Sequence, residues 1–258
     1  MSIRNIFLRS SDLSKLTGHN KYDPLEKTIN TILSNNKIEE RVCHKSNIEE
    51  LLHKLSPPKL SSLTQELDLP EGVDMGTIEK KITQTIMGNS YSKKITEEES
   101  RKHIDDHLHG KTVLQSLEIG IKQDLRMKRG EIKESSNLNK IQSQQGSKIL
   151  QRNSSMYVKE LYACDKYRII VRGKVDGIMD DTIIESKNRA NYLFKTLRGY
   201  EQVQLESYMF LTGLQKAILT EHYNDTEYCI NYSHDQEFWE SCRGSIISFI
   251  ESNISEFI

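Results

Sequence analysis

Two neighbouring segments of the chain, 168–176 and 182–187, alternate apolar with polar side chains and are separated by a short turn-like stretch at 177–181. This period of two is typical of half-buried strands, because successive side chains of a strand point to opposite faces. In the first segment we expect Ile169, Val171, Gly173 and Val175 to face the core, and Ile170, Arg172, Lys174 and Asp176 to face a cleft. The pattern therefore predicts two adjacent strands of a sheet.

The polar positions of these strands bring together groups with complementary chemistry. Glu185 and Lys187 are two residues apart and share a strand face, and Glu185 follows Asp176 by only nine residues. Two carboxylates suit a hard divalent cation, which polarises a phosphoryl group and lowers the pKa of a bound water. A lysine beside them can orient that water or neutralise charge that develops on the phosphate. The pattern therefore predicts metal-dependent phosphodiester hydrolysis.

The rest of the chain predicts an α/β fold. Helical apolar spacing occurs at 10–16, 25–33, 78–86, from about Thr96 onward, at 192–211 and from Gln236 to the end. Strand-like alternation occurs at 156–164, 217–223 and 227–232, and the polar stretch 143–155 suggests a loop. We expect one domain over 1–258, with a mainly helical part at 1–125 and an αβββαβ core at 126–258 whose central mixed sheet is flanked by helices.

Several short motifs resemble the PD-(D/E)XK nuclease superfamily. Gly173-Lys-Val-Asp-Gly177 followed by Ile183-Ile-Glu-Ser-Lys187 resembles its core motif. Gln204–Tyr208 matches the QxxxY motif of the RecB-like and lambda-exonuclease-like branches, and Gly130–Glu134 matches the GxxxE helix motif. Ser10–Gly18 is similar to the first helix and turn of YqaJ-type viral recombinases. The chain is also similar to nuclease-like proteins of large DNA viruses and to CRISPR-associated RecB-like exonucleases.

The resemblance implies a restriction-endonuclease-like fold with the catalytic residues Glu134, Asp176, Glu185, Lys187, Gln204 and Tyr208. It implies Mg²⁺ or Mn²⁺ as the cofactor, held by Glu134, Asp176, Glu185 and Ser186. Gln204 and Tyr208 share one helix face at i and i+4, so they can lie together beside the acids. The resemblance implies that they help to hold the active site and contact the DNA backbone. Glu131 lies one turn from Glu134 and is the reserve ligand.

Histidines and cysteines suggest other metal-site hypotheses. His103 and His107 share a helical face and His109 follows them, so a histidine ligand stays open beside the simpler interpretation of a charged surface helix. The cysteines are Cys43, Cys164, Cys229 and Cys242. Their wide spacing argues against a disulfide framework and against the iron–sulfur cluster of the CRISPR-associated exonucleases. We therefore expect reduced thiols.

Charge is distributed unevenly along the chain. Residues 122–174 contain 13 Lys or Arg against 5 Asp or Glu, whereas 221–258 contain 8 acids and one base. This asymmetry suits a polyanion bound on one face, although a solvated charged surface shows the same pattern. Arg172, Lys174 and Arg189 flank the proposed metal site and are the expected contacts to the DNA backbone. The resemblance to lambda-type exonucleases, which hold the terminal 5′-phosphate near this N-terminal element, implies contacts to the DNA end from Arg9, Ser11 and Lys21. Ser11 is equally suited to cap a helix.

The resemblance implies an Mg²⁺- or Mn²⁺-dependent exonuclease that acts on double-stranded DNA in viral or phage-like recombination, repair or defence. The alternatives are an endonuclease or flap nuclease of the same fold and a catalytically silent DNA-binding recombination scaffold. The resemblance suggests a homo-oligomer, as a dimer or ring trimer, and a recombination or helicase partner. No stretch approaches the roughly 18 to 20 apolar residues that cross a bilayer, so we expect a soluble, intracellular protein without membrane contacts.

Overall fold

The computed structural model describes residues 3–20, 22, 24–38, 46–88, 95–146, 148–150, 152 and 154–258. Its architecture is α/β with helices on both sides of mixed sheets, which confirms the predicted fold class. The strands are β1 (Arg4–Arg9), β2 (Ile149–Leu150), β3 (Tyr157–Ala163), β4 (Tyr167–Gly173), β5 (Gly177–Met179), β6 (Thr182–Asn188), β7 (Lys216–Tyr223) and β8 (Thr226–Ser233).

The helices are distributed along the whole chain. They are α1 (Leu13–Leu16), α2 (Leu25–Asn35), α3 (Asn47–His53), α4 (Pro57–Glu66), α5 (Met75–Ile82), α6 (Glu97–Leu108), α7 (Thr112–Gln115), α8 (Glu118–Gln145), α9 (Gly199–Thr212) and α10 (Gln236–Asn253). Among the residues that the structure describes, no helix is both long and apolar enough to span a membrane.

The strands form two sheets, and β2 of the second sheet lies in the sequence between β1 and β3 of the first. One sheet has the order β1-β4-β3 and the other the order β2-β5-β6-β7-β8. β1 is parallel to β4 and β6 is parallel to β7, whereas the other neighbours are antiparallel. Helix α9 makes the crossover that the parallel β6–β7 pair requires. The chain passes from the first sheet to the second at 174–176, so Asp176 lies where the two sheets meet.

The N-terminal strand β1 was missed by the sequence interpretation. It pairs with β4 so that Arg9 lies opposite Arg172, and its apolar residues Ile6 and Leu8 are buried in the core. The alternation in β1 is short, and its partner lies far away in the sequence. Local periodicity therefore gave no sign that these residues complete the sheet that leads to Asp176.

Three predicted boundaries were wrong. The strand predicted to reach Asp176 ends at Gly173, because the chain there turns from one sheet to the other. The helix predicted from Tyr192 begins only at Gly199, and in the residues before it Phe194 packs on the Arg189 guanidinium and the backbone N–H of Lys195 donates to Glu221. The stretch 143–155, expected to be a loop, contains the end of α8, which stops at the left-handed Gly146, and the strand β2.

Helix α8 joins separate parts of the apolar core. The largest cluster lies between the sheets and α1, α2, α9 and α10, and it includes the predicted core residues Ile169, Val171 and Val175. A second cluster packs α3–α7 against the first half of α8, and a third packs its second half against β5 and β6. The suggested division between 125 and 126 falls inside this helix. Because both halves of α8 are anchored, the middle of the helix has a fixed position over the sheet.

Candidate active site

Asp176 is held in place by the connection between β4 and β5. The preceding Val175 is only 1% exposed and anchors this connection in the core. The Oδ2 atom of Asp176 accepts a hydrogen bond of 2.8 Å from the backbone N–H of Ser186 in β6. The carboxylate is therefore fixed beside the strand that carries Glu185.

The two carboxylate oxygens of Glu185 have unlike surroundings. The residue is 3% exposed, and its Oε1 lies 2.6 Å from Lys187 Nζ. Its Oε2 is buried and has no hydrogen-bond partner among the residues that the structure describes. A buried polar atom left unpaired costs about 1–3 kcal/mol. A cation bound at Oε2 would remove that cost.

A hydrogen-bond chain runs from Lys187 to helix α9. Lys187 Nζ donates to Gln204 Oε1 at 3.0 Å, and Gln204 Nε2 donates to the Tyr208 hydroxyl at 2.8 Å. These three residues are called the Lys187 network below. Because the tyrosine accepts from the amide N–H₂, it fixes the orientation of Gln204 so that the amide oxygen faces the ammonium group. The i and i+4 spacing seen in the sequence thus brings both side chains to the acidic pair.

Helix α8 is attached to β6 by asparagines that the sequence interpretation did not identify. Asn137 Nδ2 donates to Ser186 Oγ at 3.4 Å and to Asn188 Oδ1 at 3.0 Å. Asn188 Nδ2 donates in turn to the carbonyl of Gly130 at 3.3 Å. These bonds hold the GxxxE segment of α8 over the strand that carries Glu185.

Glu134 rather than Glu131 contributes its charge to the site. Burial, the Glu185 carboxylate and, more weakly, the Glu134 carboxylate hold the pKa of Asp176 well above its usual value. Glu131 has a side chain that is 65% exposed and pairs with Lys128 at 3.1 Å. Of the two candidates that the sequence left open, the structure therefore favours Glu134.

The same charges act on the Lys187 network. Burial lowers the pKa of Lys187, but the carboxylates of Glu185, Asp176 and Glu201 together raise it by more, so the group stays cationic. Burial and then Glu185 also raise the pKa of Tyr208 well above its usual value, which keeps the phenol neutral. The site therefore holds two buried carboxyl groups, Asp176 and Glu185, beside one ammonium group.

The donor set suits a divalent cation. Glu185 Oε2 has no hydrogen-bond partner among the described residues, and burial and the Glu185 carboxylate raise the pKa of Asp176, so a cation bound to these two side chains would relieve both costs. Within the described part of the chain, no three His, Cys, Asp or Glu side chains already form a metal-ligand cluster. The Ser186 side chain accepts a hydrogen bond from Asn137 of α8, and its backbone N–H donates to Asp176.

Four of the predicted DNA contacts line one cavity beside the acids. This basic cavity has a volume of about 400 Å³ and is lined by Arg9, Ser10, Ser11, Met156, Arg172, Gly173, Lys174 and Tyr208. The pairing of β1 with β4 brings Arg9 and Arg172 together. Tyr208 connects the cavity to the Lys187 network. Lys21, the further candidate, lies outside the described residues.

Arg189 does not join this basic cavity. It is 9% exposed, and its guanidinium donates to Glu201 and Glu221 at 2.6 Å each. The arginine also stacks on the Phe194 ring, 4.2 Å from its centroid. A guanidinium committed to two buried carboxylates has no free face for a phosphate, so the expected DNA contact at Arg189 is corrected to a structural role.

Comparisons with known proteins find only distant structural likeness. No protein-family model matches the sequence, and no curated protein matches it. Similar solved structures include LHK-Exo, an alkaline exonuclease from Laribacter hongkongensis, at a TM-score of 0.42 and 13% identity over 69% of this chain and 94% of that chain. LHK-Exo in complex with dAMP gives 0.42 and 12% over 76% and 88%, and SSO0001 gives 0.32 and 15% over 78% and 82%. At these TM-scores the function has to be argued from the site itself.

The histidine and cysteine candidates lie among other contacts. The rings of His103 and His107 pack 4.3 Å apart on α6, and His107 Nδ1 contacts the His103 carbonyl. Neither histidine is among the groups that shift the pKa of Asp176. Cys164, Cys229 and Cys242 are free thiols, whereas Cys43 lies outside the described residues.

Helical spacing was the one available signal for the residues that were missed. Asn137 lies three residues after Glu134 and Glu201 lies three residues before Gln204, so each shares a helix face with a motif residue. Glu221 has no such signal in the sequence, because only the register of β7 places it opposite Lys187.

Proposed function

We propose that the chain is a metal-dependent deoxyribonuclease of the PD-(D/E)XK type, formed by a single nuclease domain. One observation carries the proposal: buried Glu185 has one carboxylate oxygen with no hydrogen-bond partner in the described part of the chain, while its other oxygen leads through Lys187 and Gln204 to Tyr208 at the wall of the basic cavity. Carboxylates, an ammonium group and a basic surface in this order suit hydrolysis of a phosphodiester.

In this proposal Asp176, Glu185 and Glu134 hold Mg²⁺ or Mn²⁺. The cation supplies a Lewis acid that polarises the phosphoryl group and acidifies a water molecule. Lys187, kept cationic by Glu185, orients the attacking water or neutralises charge on the phosphate, and Gln204 fixes its ammonium group. Arg9, Ser11, Arg172 and Lys174 bind the phosphates of the DNA backbone.

The proposed substrate is the end of double-stranded DNA. The GxxxE and QxxxY motifs together resemble exonucleolytic branches more than restriction enzymes, and the basic cavity beside the acids can receive a terminal phosphate. The same proposal includes oligomerisation as a dimer or ring trimer and a recombination or helicase partner. It also includes a role in viral or phage-like recombination, repair or defence, and an intracellular location.

The test compares 5′-labelled linear duplex with closed circular DNA in Mg²⁺, Mn²⁺ and EDTA. Asp176→Ala and Lys187→Ala are each expected to lower the rate by at least about 100-fold. Matched controls are Asp181→Ala and Lys216→Ala, because these residues pair with each other at 3.4 Å and their side chains are 69% and 61% exposed. Both control variants should cleave at the wild-type rate.

Each outcome selects one function. Degradation of linear DNA alone, abolished by EDTA and by the two site variants, supports the exonuclease. Cleavage of the closed circle as well moves the assignment to an endonuclease or flap nuclease. Tight DNA binding without cleavage in any metal would refute catalysis and leave a DNA-binding scaffold.

A further inference from the structure

Arg189 is the centre of a buried ion-pair network that the proposed chemistry does not use. Its Nη2 donates to Glu201 Oε1 and its Nε donates to Glu221 Oε1, both at 2.6 Å. Glu201 and Glu221 are each fully buried, at 0% exposure. These three residues are called the Arg189 network. Charged groups this deeply buried need a specific arrangement, since the loss of hydration opposes them.

The Arg189 network lies next to the Lys187 network. The backbone N–H of Arg189 donates to the carbonyl of His222 at 2.7 Å, so the arginine continues the ladder between β6 and β7. Lys187 and Arg189 are two residues apart on this extended segment, and Glu201 and Gln204 are three residues apart on α9. The strand and the helix are thus tied twice, by Lys187 to Gln204 and by Arg189 to Glu201.

Strand β7 and the loop between β6 and α9 are linked to the same guanidinium through its two carboxylate partners. Glu221 in β7 lies opposite Lys187 in the parallel register. Its second oxygen, Oε2, accepts from the backbone N–H of Lys195 at 2.7 Å, and Glu201 Oε2 accepts from the backbone N–H of Arg198 at 3.1 Å. One arginine therefore fixes β6, β7, α9 and the loop between them.

We propose that the Arg189 network is a positioning device that sets the distance between α9 and β6, so that Gln204 meets Lys187. Arg189 does not touch the DNA in this proposal, which rests on the proposed nuclease function. The planar fork of a guanidinium is suited to this task because it binds two carboxylates in a fixed geometry, which a lysine cannot reproduce.

The test separates position from stability. Arg189→Met leaves two buried carboxylates without their cation and is expected to destabilise the fold strongly. The triple variant Arg189→Met/Glu201→Gln/Glu221→Gln, which removes all three charges of the network, is therefore made beside it. The triple variant is expected to fold and to bind DNA with an unchanged KM, while kcat falls about 10- to 100-fold, because a small displacement of catalytic groups costs that much. Arg189→Lys should retain more activity than the triple variant.

A matched control is available on the same helix. Glu206 is also 0% exposed and accepts from Tyr232, His234 and the N–H of Asp235, away from Lys187. Glu206→Gln should lower Tm without lowering kcat. A folded triple variant with wild-type kcat, or an equal loss of kcat in Glu206→Gln, would overturn the proposal.

Failure of the proposed function can be told apart from failure of the network. If the wild type itself cleaves no DNA in Mg²⁺ or Mn²⁺, the nuclease assignment is refuted. A crystal structure of the triple variant then tests the network alone. Displacement of Gln204 from Lys187 supports positioning by Arg189, and an unchanged contact overturns it.

Discussion

At the scale of single residues, orientation decides what the site can do. Glu185 has one oxygen against an ammonium group and the other without a partner in the described chain, so a single side chain both binds Lys187 and offers a ligand. Gln204 also has two different partners. Its N–H₂ group donates to Tyr208, and this bond holds the amide in the orientation in which its oxygen accepts from Lys187. Small changes at these atoms should therefore affect the rate more than the fold.

The Tyr208 hydroxyl tests this orientation. Tyr208→Phe removes the acceptor of Gln204 Nε2, and the free energy of about 1 kcal/mol in one such hydrogen bond corresponds to about a five-fold fall in kcat. Tyr232→Phe is the control, because this hydroxyl also contacts α9, through Gln202 at 3.0 Å and Glu206 at 2.6 Å. The measurement is the initial rate of cleavage of linear duplex DNA by each variant. An equal loss of kcat in the two variants would contradict the role of Tyr208.

His222 should make the fold sensitive to acid. The residue is 5% exposed, and burial lowers its pKa from the usual 6.5 to about 4. The unfolded chain therefore takes up a proton at a higher pH than the folded chain does. The stability contributed by the neutral imidazole is present above pH 6.5 and is lost as the pH falls towards 4.

Urea unfolding of the wild type and His222→Asn measures this effect. Between roughly pH 7 and pH 5 the wild type should lose about 2 kcal/mol of unfolding free energy more than the variant. Parallel pH profiles for the two proteins would show that the imidazole titrates normally in the folded state.

At the scale of elements, close packing at the ends of strands holds the site together. Gly173 ends β4 where the N-terminal segment crosses it, and a Cβ atom there would collide with Ser10 Oγ and lie 3.2 Å from Leu211 Cδ1. The Ser10 hydroxyl also donates to the Arg172 carbonyl at 3.4 Å. The residue before Lys174 is thus small because the N-terminal segment and α9 both approach it.

Gly173→Ala is expected to lower the free energy of unfolding by about 1–3 kcal/mol, as overpacking usually does. Ser10→Gly/Gly173→Ala should recover part of this loss, because it removes the atoms that Cβ meets most closely. Denaturant midpoints for the single and double variants provide the measurement. Additive losses in the double variant would show that Ser10 is not the obstacle.

At the scale of the whole molecule, helix α8 and the link at 174–176 combine ligands from separate parts of the core. Glu134 lies between the halves of α8 that pack in different apolar clusters, and Asp176 lies between the two sheets. A cation that binds these groups would therefore stabilise the entire folded chain. Its effect should appear in global unfolding.

Thermal unfolding with Mn²⁺ tests this coupling without any substrate. A cation at about 100 times its Kd adds about 2.7 kcal/mol to the folded state, so Tm should rise by several degrees. Asp176→Asn should lose most of this rise, whereas Asp181→Asn, at an exposed position, should keep it. Equal rises in wild type and Asp176→Asn would place the cation elsewhere.

The sequence by itself predicted the α/β fold class and most elements of the second half of the chain. The apolar period of 2 residues in strands and of 3.6 residues in helices is visible in short stretches of sequence. It also brought Asp176, Glu185 and Lys187 into one hypothesis, since a strand of known period places i and i+2 on one face. The helix spacing of Gln204 and Tyr208 was equally local. The proposed roles of these residues stay predictions until the cleavage assays are made.

Only the tertiary structure decided which partners these side chains meet. The sequence offered Arg189 as a DNA contact, but pairing of β6 with β7 and packing of α9 enclose it with Glu201 and Glu221. The same holds for β1, whose place beside β4 brings Arg9 into the basic cavity. The physical reason is that strand register and helix docking depend on the burial of residues far apart in the chain, which no local pattern records.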